Sequence, residues 1–202
     1  MTALRKTPVA PLADAAPFAI RGERSSDAVA REMLLDASFG ANRALRTCQR
    51  LRDGRAPAEG LAFSAVRRVS ATGLVGTLRL WHVSAAGIPA LLLGPLAVDA
   101  NCRNLGLGAA LINHALAAAR ARGHRAVVLL GDAPYYGRFG FQAKTASGLS
   151  LPGPFERDRL LGLELCEGAL EGASGLILPP AALPGKARAV RIGNSRAVPR
   201  AA

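Results

Sequence analysis

Apolar side chains recur at every third or fourth position between Leu107 and Ala119, with small and polar residues between them. This spacing predicts a helix that buries one face against a core. Two arginines and then Gly123 follow the last apolar position, and cations with a glycine are typical of a helix C-terminus. We therefore predict a long amphipathic helix that begins at Gly106 and ends near Gly123.

An uninterrupted apolar run at residues 91–93 precedes this helix and is typical of a strand that is buried on both faces. Gly94 and Pro95 then interrupt the run. Proline cannot donate a hydrogen bond to a neighbouring strand and glycine weakens pairing, so the pair predicts a bulge or a splaying of strands. Pairing should resume at residues 96–98, and a polar loop at residues 99–104 should lead into the helix.

The rest of the pattern alternates between short strands and helices. The other predicted elements are, in chain order, a strand at 18–21, a helix from 25–27 to 39, a basic helix at 43–52, strands at 61–69, 74–83 and 126–130, a short helix at 134–139, and strands at 149–151 and 160–165. The strand–helix–strand unit at 91–130 implies parallel pairing, and the hairpins before it imply antiparallel pairing. We therefore expect an α/β fold with a mixed sheet.

Composition narrows the functional classes. The formal net charge is +12, and 23 of the 26 basic residues are arginine, which we interpret as a bias of composition rather than a nucleic-acid surface. Aromatic residues make up only 4% of the chain, which leaves few stacking platforms for single-stranded nucleic acid. An anionic cofactor that carries several phosphates would still benefit from the positive field.

Cysteine content, the length of apolar runs and the position of prolines indicate the cellular compartment and the domain limits. Three cysteines at no metal spacing favour reduced thiols in the cytoplasm. No apolar run is long enough to span a bilayer, and prolines interrupt any signal-peptide core near the N-terminus. We expect a flexible extension at residues 1–16, one domain at residues 17–182, and a basic, disordered tail at residues 183–202.

Candidate chemistry lies where the predicted helix begins. Gly106 and Gly108 follow a strand and a loop, and free N–H groups at a helix start bind phosphate, which glycines allow to approach closely. A Walker loop is excluded because Ala109 stands where that motif needs lysine. A dinucleotide fingerprint is excluded because Leu111 stands in place of its third glycine.

Two segments carry a family resemblance. The stretch RNLGLG at residues 103–108 resembles the R/Q-x-x-G-x-G/A acetyl-CoA motif of the GCN5-related N-acetyltransferases (GNATs). The stretch YYGRFGF at residues 135–141 resembles that family's Y-x-x-x-G-F segment, and LGPLAVD at residues 93–99 resembles its bulged fourth strand. The sequence of these segments is most similar to the bacterial YhbS-like branch of the family, and the resemblance spans residues 18–180. One departure is Leu105, because a basic residue is frequent at that position in the family.

The resemblance implies a fold, a cosubstrate and a site. The implied GNAT fold has a central mixed twisted β-sheet of six to seven strands, helices on both faces, and a splay after the fourth strand. The implied cosubstrate is acetyl-CoA, with no metal, and Tyr136 would protonate the departing thiolate. Tyr135 is the neighbouring candidate, but adjacent helical residues point apart, so we expect Tyr135 to pack. The residues that would bind acetyl-CoA are Leu96, Ala97, Val98, Arg103, Asn104, Leu105, Gly106, Leu107, Gly108 and Ala109.

Several alternatives stay open at the level of sequence. The base could be Asp99, Asp132 or water, although Asp132 could instead cap the helix that follows it. Trp81 and His82 could line the acceptor site or simply belong to a half-buried strand. We expect an N-acetyltransferase that acts by direct attack on a small-molecule or peptide amine, as a monomer or homodimer, with no nucleic acid or membrane as partner. The alternatives are a non-catalytic acyl-CoA-binding or sensing module and a nucleic-acid-binding protein.

Overall fold

An open β-sheet forms the centre of the computed structural model, which describes residues 17–68 and 73–180. Its strands are β1 (Phe18–Gly22), β2 (Ala62–Arg67), β3 (Leu74–Ala85), β4 (Ile88–Val98), β5 (Ala126–Leu130), β6 (Leu149–Ser150), β7 (Leu160–Glu164) and β8 (Gly175–Leu178). Its helices are α1 (Ala28–Phe39), α2 (Thr47–Arg50), α3 (Leu107–Ala121) and α4 (Ala133–Gly137). The predicted extension at 1–16, the predicted tail at 183–202 and Val69 lie outside the described residues.

The sheet is mixed, as predicted. Its strand order is β1-β2-β3-β4-β5-β7, and β8 pairs with both β3 and β6. The first four strands pair antiparallel, β4 and β5 pair parallel, and β5 and β7 pair antiparallel. The single parallel pair is β4 with β5, which α3 connects. A helical crossover returns the chain to the end of the sheet at which β4 began, so β5 runs in the same direction as β4.

Helices cover both faces of this sheet. The apolar face of α3, which includes the fully buried Leu111 and Ile112, packs against one face through residues such as Leu78 and Leu91. On the other face, Leu34 and Leu35 of α1 pack against the end of β4. Side chains of successive strand residues point to opposite faces, so β4 contributes to both layers.

The splay expected after the fourth strand is also present. Pairing between β4 and β5 is confined to Leu91 with Val127 and Leu92 with Val128. Beyond Leu92, β4 continues to Val98 while β5 ends at Leu130, and no pairing joins the two strands there within the described residues. The two strands therefore diverge, and a gap opens at the end of the sheet that faces the start of α3.

The basic helix predicted at 43–52 is wrong in its extent. Only Thr47–Arg50 is α-helical, and a 3-10 turn occupies Ala41–Leu45. Arg46 between them has an extended backbone, with φ −68° and ψ 142°, which separates the two turns. The Thr47 hydroxyl at the start of the short helix donates to the carbonyl of Pro154, a residue of a distant segment.

The sequence also underestimates the sheet, which has eight strands rather than six to seven. The eighth, β8, was not predicted, and its pairing with the end of β3 through Ile177 and Leu178 is non-local. Within the ranges 17–68 and 73–180, no helix combines the length and the apolar character needed to cross a membrane.

Candidate functional site

The gap between β4 and β5 begins at a bulge in β4. Leu96 lies opposite Leu78 of β3, and Leu93 lies opposite Leu80, so two β4 residues face a single β3 residue between these pairs. The two residues are Gly94 and Pro95, as the sequence predicts. The bulge bends β4 away from regular pairing and turns its main chain towards the gap.

The Trp81 side chain is hydrogen-bonded to the bulge. Its indole Nε1 donates to the Gly94 carbonyl at 2.9 Å, and only 7% of the residue is exposed. Trp81 therefore fixes the main chain at the bulge, because its hydrogen bond satisfies a carbonyl that the irregular pairing leaves free. The exposed His82 lies elsewhere, with its ring 5.4 Å from that of His124 beyond the C-terminal end of α3. Of the two residues suggested for an acceptor site, only Trp81 has a side-chain hydrogen bond to the bulge within the described residues.

The turn into α3 leaves main-chain donors unused. Asn104 and Gly106 both have left-handed backbones, with φ 62° and 74°, and the Gly106 conformation strongly favours glycine. The first bond of α3 runs from the Ala110 N–H to the Gly106 carbonyl, at 2.9 Å. Among the described residues, the N–H groups of residues 105–109 have no hydrogen-bond acceptor, and the first turn of α3 has no acidic side chain. This arrangement suits an anion.

Tyr135 lies over this turn, which the sequence did not predict. A Cβ added at Gly108 would come within 2.8 Å of the Tyr135 hydroxyl oxygen, so only glycine leaves the tyrosine this position. The guanidinium of Arg138 stacks over the Tyr135 ring at 4.5 Å from its centroid. The expectation that Tyr135 packs is correct for its ring, but its hydroxyl reaches the glycine turn. Only the spacing of the two motifs could have indicated this.

Tyr136 lies on α4 and packs against Gly131, which directly follows β5. A Cβ at Gly131 would be 2.3 Å from the Tyr136 ring, and the Tyr136 and Phe141 rings meet edge to face at 6.0 Å. Burial, with a smaller contribution from Tyr135, raises the pKa of Tyr136 to about 12. Within the described chain its hydroxyl has no hydrogen-bond partner. The hydroxyl thus stays protonated at neutral pH and can donate.

The two candidate bases both cap turns. Asp132 accepts from the Tyr135 N–H at 3.3 Å at the start of α4. Asp99 accepts from the Asn101 N–H at 2.9 Å and caps a short 3-10 turn. The capping alternative for Asp132 is therefore confirmed, and Asp99 has the same local function.

The predicted cofactor residues lie on two nearby segments of the chain. Residues 96–98 are the last of β4, and residues 103–109 run from the loop into α3. Arg103, Asn104 and Leu105 are exposed, whereas the Leu107 side chain is buried in the core and only its main chain faces the turn. In the part of the chain that the structure describes, no group of three or more His, Cys, Asp or Glu side chains could hold a metal ion.

Comparisons with known proteins show what this chain is similar to. A family model described as an acetyltransferase (GNAT) domain matches residues 62–143. The uncharacterized N-acetyltransferase YhbS of Escherichia coli K12 is 35% identical over 85 residues, which are 42% of this chain and 51% of that protein. The match thus spans about half the length of this curated relative.

Two solved structures extend the likeness beyond that stretch. The crystal structure of YhbS from Escherichia coli in complex with CoA matches with a TM-score of 0.70 and 27% identity, over 81% of this chain and 89% of that one. A GNAT family acetyltransferase from Brucella melitensis in complex with acetyl-CoA matches with a TM-score of 0.53 and 27% identity, over 73% and 88% of the two chains.

Proposed function

Because this chain belongs to the GNAT family and is YhbS-like, we propose that it transfers the acetyl group of acetyl-CoA to a primary amine. The transfer proceeds by direct attack of the amine while both substrates are bound. The observation that carries the proposal is the set of unused N–H groups at residues 105–109, which lies beside the gap between β4 and β5. The relatives that were solved with CoA or acetyl-CoA support the choice of cosubstrate.

The residues of the turn fit a diphosphate. The N–H groups of residues 105–109 have no acceptor among the described residues, and the space beside the Gly106 Cα is open. Exposed Arg103 and Asn104 lie at the rim, where Arg103 adds a charge-assisted hydrogen bond. The main chain of residues 96–98, unpaired on the side of the gap, binds the extended arm as a neighbouring strand would.

The acetyl thioester supplies an activated carbonyl, and the chain supplies the polar groups around it. Main-chain N–H groups at the bulge stabilise the negative charge that develops on the carbonyl oxygen, and such a donor contributes about 3–4 kcal/mol in other enzymes. Tyr136 donates to the sulfur as the thiolate departs. Because burial raises its pKa to about 12, the Tyr136 hydroxyl is protonated at neutral pH, so it can act as a donor and not as a base.

The proton of the attacking amine goes to water in this proposal. Asp99 and Asp132 each already accept a main-chain N–H in the turn that follows them, and those caps account for both carboxylates. The high pKa of Tyr136 also predicts that the donor remains protonated up to about pH 11, so it should cause no loss of kcat between pH 7 and 10.

Calorimetry with CoA and acetyl-CoA, followed by a thiol-release assay over a panel of amines, tests the proposal. We expect binding, release of CoA with at least one amine, and a fall in kcat of roughly 10²-fold in Tyr136→Phe. Tyr135→Phe is the matched variant, and it should change the affinity for CoA more than kcat, because its hydroxyl lies over Gly108.

Three other outcomes would contradict parts of the proposal or all of it. An unchanged kcat in Tyr136→Phe would remove the donor role. Binding of CoA without thiol release from any amine would favour a non-catalytic acyl-CoA-binding module. A protein that binds neither CoA nor acetyl-CoA at millimolar concentration would contradict the proposed function as a whole.

A further inference from the structure

Four arginines lie close together on the side of the sheet that α1 covers. They form what we call the arginine cluster: Arg31, Arg43, Arg52 and Arg79. Arg79 lies on β3, two residues before Trp81, and its guanidinium is 5.9 Å from the centre of the Trp81 ring. Trp81 in turn donates to the Gly94 carbonyl. Arg79 is therefore the member of the cluster that lies next to the bulge, through its contact with Trp81.

Three members of the cluster have carboxylate partners. Arg31 pairs with Glu23 at 2.7 Å and with Glu32 at 2.7 Å, and its side chain is only 11% exposed. Arg79 binds the same Glu23 carboxylate through both Nε and Nη2. Arg43 pairs with Asp36 and with Glu32. Three carboxylates thus serve three guanidinium groups.

Arg52 is the exception. The only hydrogen bond of its side chain within the described residues runs from Nε to the Cys48 carbonyl at 3.2 Å, and it forms no ion pair there. Asp53, its neighbour in sequence, is exposed and accepts from the Gln49 side chain. Burial raises the pKa of the Cys48 thiol, so this group stays neutral and does not serve as a counter-ion.

The surroundings make this unpaired charge unfavourable. Burial lowers the pKa of Arg52. Cys48 and Asp53 oppose this effect, and the smaller contributions of Arg43 and Arg79 add to it. Leu51, the preceding residue, is completely buried in the same core cluster as Trp81. A half-buried guanidinium beside other cations gains most from an anion that reaches it from outside the chain.

We propose that Arg52 binds an oxyanion of the acceptor, so that the substrate is an amine that also carries a carboxylate or a phosphate. This inference rests on the proposed acetyl transfer and specifies its acceptor. A guanidinium presents paired donors that match either anion. The same excess of positive charge repels polycationic acceptors, which would leave Arg52 without its counter-ion.

Matched amines test the inference in the thiol-release assay. β-Alanine, phosphoethanolamine and β-alaninamide share a two-carbon spacing between the amine and a carboxylate, a phosphate or a neutral amide. A series from glycine to 6-aminohexanoate varies the distance between amine and carboxylate. We expect kcat/KM for the preferred anionic amine to exceed that for its neutral amide by at least about 30-fold, and the carboxylate and phosphate arms to identify which anion is recognised.

Variants assign the preference to one residue. Arg52→Gln should reduce the preference to near unity, whereas Arg52→Lys should restore part of it. Arg55→Gln, which removes an exposed arginine three residues away, should retain it. The affinity for CoA should be unchanged in all three variants, and this measurement shows that they are folded.

The outcomes separate this inference from the function on which it rests. Acetylation of neutral or cationic amines at least as fast as anionic ones would overturn the inference and leave acetyl transfer intact. So would a preference that survives in Arg52→Gln. Failure of every amine in the panel, or failure to bind CoA, would overturn both.

Discussion

The starts of α1 and α3 differ in where their polar groups find partners. At the start of α1, the carboxylate of Asp27 accepts from both terminal nitrogens of Arg21 at 2.7 and 2.8 Å. It also accepts from the Arg24 N–H at 2.9 Å and from the Ser64 hydroxyl at 2.8 Å. Asp27 is only 7% exposed, and these hydrogen bonds, above all those from Arg21, hold its pKa far below the usual range.

At the start of α3, the chain supplies no such anion. The N–H groups of residues 105–109 have no acceptor among the described residues, and the first turn of the helix has no acidic side chain. The loop before it, at residues 103–106, is exposed. Internal partners at α1 stabilise the fold, whereas the donors at α3 are available to a ligand.

The arginine cluster shows the same contrast on a smaller scale. Arg31, Arg43 and Arg79 have carboxylate partners within the chain, and Arg52 has none within the described residues. In both places, a polar group lacks a partner among the described residues, whereas its counterparts have one. The comparison therefore separates groups that hold the structure from groups that we expect to contact substrates.

Removal of the internal anion at α1 should have the largest effect. We expect Asp27→Asn to lower the free energy of unfolding by about 3 kcal/mol at pH 7, because the Arg21 guanidinium loses its charged partner in a buried site. Urea unfolding at several pH values measures the loss. The folded pKa of Asp27 is depressed, so its stabilisation is present above about pH 4 and is lost as the pH falls further.

Asp36→Asn provides the matched control on the same helix. The Asp36 side chain is 58% exposed and pairs with Arg43 alone, so its loss should cost less than about 1 kcal/mol. Equal losses from the two substitutions would contradict the distinction between buried and exposed carboxylates. A difference between wild type and Asp27→Asn that did not narrow below pH 4 would exclude the ionised carboxylate as its source.

An anion placed at the start of α3 should make it resemble α1. Ala109→Asp adds a carboxylate to the first turn, where it should repel the diphosphate and compete for its donors. We expect an increase in the Kd for CoA of about 30-fold, near 2 kcal/mol. The same change should raise the free energy of unfolding by about 0.5 kcal/mol, because negative charge at a helix N-terminus is favourable.

Calorimetry with CoA and urea unfolding measure the two effects of Ala109→Asp. Ala109→Asn is the control, since it has nearly the same size without the charge and should weaken CoA binding far less. An unchanged Kd in Ala109→Asp would show that the N–H groups at residues 105–109 do not bind the diphosphate.

Local chemistry explains what the sequence predicted well. The bulge followed from Gly94 and Pro95, because neither residue supports regular pairing, and the register of β3 with β4 shows it there. The extent of α3 followed from its apolar spacing and its terminal glycines, and the sequence prediction and the structure differ by only two residues at its C-terminal end. These features depend on residues that are neighbours in the chain.

Non-local contacts explain what the sequence missed. The basic segment is interrupted at Arg46, and its helical turn is bonded through Thr47 to the distant Pro154. Strand β8 is formed by its pairing with the end of β3 and with β6. In the candidate site, the Tyr135 hydroxyl over Gly108 and the unpaired Arg52 both depend on how distant segments meet. The two motifs indicated the cosubstrate but not these side chains.

The smallest effect should come from the exposed side chain at the rim of the turn. Arg103 is exposed, so we expect Arg103→Gln to increase the Kd for CoA by only about threefold at low salt, as is usual for exposed ionic contacts. At 500 mM salt, wild type and variant should converge because such contacts are screened, whereas the defect of Ala109→Asp should persist in part. Calorimetry at the two salt concentrations, with Arg55→Gln as the control for net charge, measures this. A loss in Arg103→Gln as large as that in Ala109→Asp would assign the main attraction to side-chain charge, and the contrast between the two helix starts would no longer explain binding.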